Sequence, residues 1–261
     1  MNDTNRKKLL LTALPWALPV LILVIWQIFT TSGIVAGNIL PQPAQVGRAA
    51  LELIRSGELA DNVAISARRA LLGFLTGGTI GFLLGLFNGV WARAELLLDT
   101  TIQMVRNIPH LALIPIAILW FGIGEETKLV LVSLGVFFPI YLNTFHGIRS
   151  VDPKLVEMGK VYGYRGASLY GHVILPGALP AILVGVRQSL GIMWLTLIVA
   201  ETVAADSGIG YMAMNAREYM RMDIIVLSIL LYAVLGKLSD SLAKLLEKSW
   251  LRWHPNFAGK R

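Results

Sequence analysis

Long apolar runs alternate with short polar breaks along the whole chain, and six of the runs are about long enough to cross a bilayer as helices. The expected spans lie near residues 9–29, 70–91, 103–121, 128–148, 177–204 and 224–246. A basic segment, MNDTNRKK, precedes the first run and no A-x-A site follows it, which predicts an uncleaved first span with its N-terminus inside. Pro15 and Pro19 fall in its first turns, where a kink or a non-helical start is expected. In the second run Gly73, Gly77, Gly81, Gly85 and Gly89 recur every four residues, a smooth strip that lets another helix approach closely. Pro109 and Pro115, beside Arg106, Asn107 and His110, predict an interrupted third span, tolerable only where neighbours or water satisfy the freed carbonyls. The fifth run exceeds the minimum length and can tilt.

The breaks carry their own signals. Across 31–69, Pro41 and Pro43 mark a loop, and Val46, Ala50, Leu53 and Ile54 form one face of a short amphipathic helix that ends near Gly57. Such a helix is expected to lie at the membrane interface. Between the fifth and sixth runs, ADSGIGYMAMNAREYMRMD predicts a short outward-facing helix and loop, and 244–261 is expected to form a cytoplasmic tail. The most structured break is 149–176. Asp152-Pro153 is a helix start, because an Asp side chain accepts from free backbone N–H groups and a first-turn proline loses no needed donor. Leu155, Val156, Met158 or Gly159, and Tyr162 then repeat at helical spacing, leaving Lys154, Glu157 and Lys160 more exposed. Gly163 and Gly166 break that helix, and a second short one, near 167–173, is expected to end at Pro176. Helices this short are marginal alone, so packing or a partner must hold them.

Composition narrows the class. With 55% apolar and 15% charged residues, and a mean hydropathy of +0.64, the 261-residue chain is too apolar for a soluble domain. It is read as one transmembrane domain over 1–261, an all-α polytopic membrane protein with six transmembrane helices. The absence of cysteine excludes disulfides and thiolate metal sites, and no metal site is expected. A net charge of +7 fits membrane orientation better than nucleic acid binding, and no nucleic acid partner is expected. Basic residues such as Arg6, Lys7, Lys8, Arg93, Arg149, Lys154, Lys160 and Arg165 outnumber those of the opposite side, among them Arg48, Arg55, Arg68 and Arg69. That bias puts both termini and the 149–176 segment in the cytoplasm.

Glu157, Gly163, Val173, Leu175 and Pro176 resemble the EAA loop of ATP-binding-cassette importer permeases, whose pattern is E-A-A, three residues, G, nine residues, I-x-L-P. The spacing fits at every position. Met158 and Gly159 stand where the family usually has alanines, and Val173 where it has isoleucine. The likeness extends to RNIPHLALIPIAILWFGIG, HVILPGALPAILVGVR and WLTLIVAETVAADSGIGYMAMNARE, which look very like the permeases for aliphatic sulfonates within the sulfonate, taurine and nitrate group. The resemblance implies a type I importer permease fold in a bacterial inner membrane. It also implies a second permease copy, two cytoplasmic ATPase subunits and an extracytoplasmic solute-binding protein as partners. Loop 149–176 would dock in a groove on the ATPase. This chain would bind no cofactor; it has no G-x-x-x-x-G-K-[ST] sequence, so ATP-Mg would sit on the partner.

Candidate solute contacts lie in the fifth span. Arg187, Gly191, Trp194, Ile198 and Glu201 fall on one side of a helix at 100° per residue. Arg187 lies about 15 Å deep at 1.5 Å per residue, where a charge costs at least ~2.5 kcal/mol and needs a watery cavity or a counter-charge. Two roles are open to it: lining the path of an anionic solute, or a structural pairing with another helix. Glu201 lies nearer the outer face, as part of an outward gate or of the interface. For His110, Asn143 and His146 an intramembrane hydrogen bond is expected. Two rival classes exist. A membrane enzyme would need a nucleophile and base, and the histidines have no obvious serine partner. An ion-gradient-driven secondary transporter could be built from six spans, but no carboxylate lies convincingly at a span centre to carry a proton.

Overall fold

The apolar runs fold into helices, and among the residues described by the computed structural model, 3–35, 37 and 39–253, there is no strand. The first two residues and the end of the expected C-terminal tail, 254–261, lie outside the described residues. The residues form two compact units, one of Met1–Asn62 with Met212–Leu230 and the other of Val63–Tyr211 with Leu231–Arg261.

In the first unit α1 (Asp3–Thr31) runs as a helix through both Pro15 and Pro19, so the expected non-helical start is not found. Both prolines lie in the middle of this 29-residue helix, where each removes one donor and the remaining ladder continues. Apolar side chains from Leu14 to Phe29 are exposed along α1, as suits a helix facing lipid. The Trp26 indole N–H donates to the Pro41 carbonyl at 3.0 Å, fixing the loop before α2 (Pro43–Ser56). That helix ends at Gly57, at φ +84°, as expected, but its inward face is Val46, Ala49 and Leu53. Ile54 points outward and is 57% exposed. Further along the chain, Arg221 joins Glu52 and Asp223, and the Asp223 hydrogen bond raises the Arg221 guanidinium above its ordinary value.

The second span begins far earlier than its apolar run. Helix α3 covers Glu58–Val90, 33 residues, so the polar stretch before Ala70, expected to lie outside the spans, belongs to the same helix. Its buried polar residues, Ser66 and Arg69, find partners inside the protein, which removes the reason to exclude them from a helix. The third expected span is two pieces, α4 (Ala92–Arg106) and, after a tight turn at His110–Leu113, α5 (Ile114–Phe121). The pieces bend by 80°, because Pro109 cannot continue the α4 ladder. With eight residues α5 is only about 12 Å long, too short to cross alone. The rest follow the expected order: α6 (Glu125–Arg149), α7 (Pro153–Val161), α8 (Ala167–Leu169), α9 (Leu175–Ala204), α10 (Ile209–Glu218) and α11 (Met222–Trp250). Among the described residues four helices are long and apolar enough to span, or five if the bent pair counts as one, and the apolar part of α1 is the shorter Ala17–Thr31. Six full-length spans are therefore not reached.

The glycine strip does what its spacing predicts. A Cβ on Gly77 would run into the backbone of Ser133, one on Gly81 would lie 2.6 Å from the Phe137 carbonyl oxygen, and one on Gly89 would lie 2.9 Å from Ile148. The partner is α6, running parallel to α3. On its other side α6 packs antiparallel against α9, with Gly147 facing Ala178 and Ala181 and Gly185 facing Pro139 and Asn143. Pro139 lies within α6, and the Asn143 amide donates to its carbonyl at 2.8 Å.

Gly81→Ala should cost about 1–3 kcal/mol by overpacking the α3–α6 contact. Gly236→Ala, on α11 with open space around its Cβ, should be neutral or stabilise by roughly 0.5–1 kcal/mol. Thermal unfolding of the two purified variants checks the contrast.

Candidate functional site

The 149–176 segment is built as a capped knob on the end of the α6–α9 pair. The Asp152 carboxylate accepts from the Lys154 backbone N–H at 2.9 Å, and Pro153 opens α7. Gly163 and Gly166 stand at φ +89° and +51°, the left-handed region that glycine enters without strain. At the base of the knob, Arg149 pairs with Glu95. One edge of α7 packs inward: Gly159 is buried, and a Cβ there would lie 2.9 Å from both Leu169 and Val173. Val156 and Val173 join a core of Ile148, Leu169, Ile174, Ala178 and Ile182. Of the pair Met158 or Gly159 it is Gly159 that faces inward, whereas Leu155 and Tyr162, also expected there, are exposed together with Met158, Val161 and, as expected, Glu157. Only the Val156–Gly159 edge has the second helical piece beneath it, so the remaining apolar residues form an open patch around Glu157.

The second piece does not end at Pro176. Helix α8 passes through a π-helical turn at Tyr170–Ile174 directly into α9, and Leu175 and Pro176 occupy the first turn of that helix. The wider turn makes room for the proline ring and needs no break in the chain direction. The knob is thereby continuous with the long helix that carries Arg187, Gly191, Trp194 and Glu201.

Those four residues meet different surroundings. Arg187 donates from Nε to Asp240 of α11 at 2.6 Å, and Glu247 lies 3.9 Å from its Nη1. Gly191 is exposed. Trp194 is buried; its indole N–H donates to Ser239 Oγ at 2.8 Å, and its ring meets Tyr232 edge-on. Glu201 is 1% exposed and is the centre of a polar cluster, not a group at the interface. Its carboxylate accepts from Ser66 Oγ at 2.8 Å, Arg69 Nη1 at 2.8 Å, the Gly210 N–H at 2.9 Å and the Tyr232 hydroxyl at 3.0 Å. Ser66 Oγ in turn accepts from the Ile209 N–H at 2.9 Å. Arg69 reaches on to Glu125 and to Ser207, and Lys128 donates to Glu125 at 3.0 Å. Sequence reasoning missed Ser66, Arg69, Glu125, Lys128 and Tyr232. The one available signal was a pair of arginines directly before an apolar run. Of the weaker candidates, His110 bonds Thr196 at 2.9 Å and Asn143 bonds Gln188 at 3.2 Å, whereas His146 is exposed beside Phe145.

A family model described as the binding-protein-dependent transport system inner membrane component matches residues 77–252, from within the glycine strip past the end of α11. The chain belongs to this permease family. It is 58% identical over 254 residues to the protein named aliphatic sulfonates transport permease SsuC of Escherichia coli K12, covering 97% of each chain. The protein of the same name from Bacillus subtilis 168 is 46% identical over 93% of this chain and 88% of its own. The taurine transport system permease TauC of Escherichia coli K12 is 31% identical, covering 89% and 86%. A permease of this family is a membrane subunit of an ATP-binding-cassette importer whose ATPase is a separate chain, which leaves the ion-gradient and membrane-enzyme readings without support. The permease therefore works with a binding protein and ATPase subunits at the inner membrane.

Arg69→Met should destabilise the permease by about 3–5 kcal/mol, because Glu201 is left charged and buried. Adding Glu201→Gln should recover a large part of that loss. Unfolding midpoints of the purified single and double variants measure both.

Proposed function

We propose that this permease carries aliphatic sulfonates and works as a pair of identical chains, with both termini and the 149–176 loop facing the cytoplasm. The full-length identity to the sulfonate permeases carries the substrate reading. The coupling reading rests on the knob: Glu157, Met158, Gly163 and their exposed neighbours form a patch that an ATPase groove can take up. Gly159, Val173, Leu175 and Pro176 fix that patch to α9. ATP-Mg on the two ATPase partners closes them, draws the two knobs together and, through α9, opens the solute path outward. The path-facing side of α9 is proposed to be that of Arg187 and Gly191, which present exposed atoms. Trp194 and Glu201 are buried and shape the path from behind. Arg187 favours an anionic solute only when it loosens from Asp240, which also holds Lys244 at 2.8 Å.

Cells carrying the full transporter should show vanadate-sensitive uptake of an alkanesulfonate. Exchange of Glu157 for Lys should reduce it at least about tenfold, equivalent to roughly 1.4 kcal/mol of coupling. Arg187→Ala should lower uptake while ATP hydrolysis persists; unchanged uptake would remove Arg187 from the path, and vanadate-insensitive uptake would overturn the whole reading.

A further inference from the structure

The polar cluster around Glu201 opens on one side into a cavity of about 280 Å³ bounded by Ile65, Arg68, Arg69, Leu72, Leu129 and Ser207, with Glu125 at its edge. Arg69 and Lys128 are almost wholly buried, with side chains 3% and 2% exposed, whereas the Glu125 carboxylate that holds both is 56% exposed. The cavity therefore has an unusual chemistry: one buried cation, Arg69, in its wall, and a second, Lys128, behind the exposed carboxylate that holds both. All five Arg69 N–H groups are engaged. Nη1 serves Glu201 and the Ser207 carbonyl, Nη2 serves Ser207 Oγ and Glu125, and Nε serves the second Glu125 oxygen at 2.8 Å.

We propose that this cavity is a receiving site for a sulfonate, in which Glu125 is a built-in competing anion that the solute displaces. A sulfonate has three oxygens and one negative charge. It can accept the Nε and Nη2 fork of Arg69 as a carboxylate does, and the oxygen that takes the place of Glu125 Oε1 is then also within reach of Lys128. The exchange leaves no cation unpaired, since Glu201 stays in place with its four donors and Glu125 swings into water. Arg68, exposed at the rim, adds attraction for an incoming anion. Ile65, Leu72 and Leu129 offer an apolar wall to an alkyl chain, a match to a solute with one charged and one oily end. The site lies at the ends of α6 and α9 away from the knob, roughly 36 Å along the 25 residues of α6 at 1.5 Å per residue. With the knob in the cytoplasm, that is the side on which a binding protein delivers. The inference rests on the sulfonate reading.

The test is calorimetric titration of butanesulfonate into the purified permease–ATPase complex in lipid nanodiscs. Glu125→Gln should tighten binding about fivefold or more, close to 1 kcal/mol. Glu126→Gln makes the same charge change one residue away and should leave binding within about twofold. Arg68→Gln, on the exposed rim, should weaken it about threefold, and butylammonium should not bind. Equal binding by the Glu125→Gln and Glu126→Gln proteins, or an unaltered Arg68→Gln protein, overturns the site. If the wild-type transporter imports butanesulfonate in that case, only the site is lost. If it neither binds nor imports any alkanesulfonate, the importer reading falls as well.

Discussion

Polar groups inside a membrane bundle must find their partners within the protein, and the second unit of this permease is organised by that constraint. Glu201, on α9, lies out of reach of water. Its four donors come from α3, from the start of α10 and from α11, so those segments cannot move independently of α9 without stranding a buried charge. Arg69 extends the same linkage to α6 through Glu125. A buried ion pair adds little net stability compared with apolar packing, but it is intolerant of partial separation. The cluster therefore acts as a position-setting joint.

Close backbone approach supplies the rigid bodies that meet at this joint. Helix α6 touches α3 along glycines on one side and α9 along glycines and alanines on the other, with carbonyl groups where side chains would ordinarily stand. Two helices packed so closely slide or bend less readily than helices separated by long flexible side chains. The loop at one end of the α6–α9 pair and the ionic cluster at the other are thus mechanically connected. The π-helical turn at Tyr170–Ile174 lets the knob continue into α9 with a proline at the junction. Under the proposed coupling, a displacement imposed on the knob would reach the far end as a movement of the whole helix.

What could be read from the sequence was whatever a few neighbouring residues decide. The Asp152-Pro153 start, the glycine exits at Gly163 and Gly166, the end of α2 at Gly57 and the face offered by Gly73 to Gly89 are local decisions, and each has the expected geometry. Features set by distant partners were not legible. Ser66 and Arg69 fell outside the expected spans because their partner, Glu201, is 135 and 132 positions away. Leu155 and Tyr162 looked inward-facing because helical period alone cannot say which edge of a short helix finds a neighbour. For Arg187, whose two roles stood open, the structure shows a pairing with Asp240 of α11, a partner 53 positions away.

The claim that the knob is moved by an ATPase and carries α9 with it is tested most directly by the distance between spin labels placed at Tyr162 in the two copies of the assembled transporter. Tyr162 is 77% exposed and lies outside the core contacts, so a label there leaves the packing intact. Addition of a non-hydrolysable ATP analogue should shorten that distance, and removal of the nucleotide should restore it. A distance that is the same with and without nucleotide, in a complex that still binds the analogue, would contradict the account.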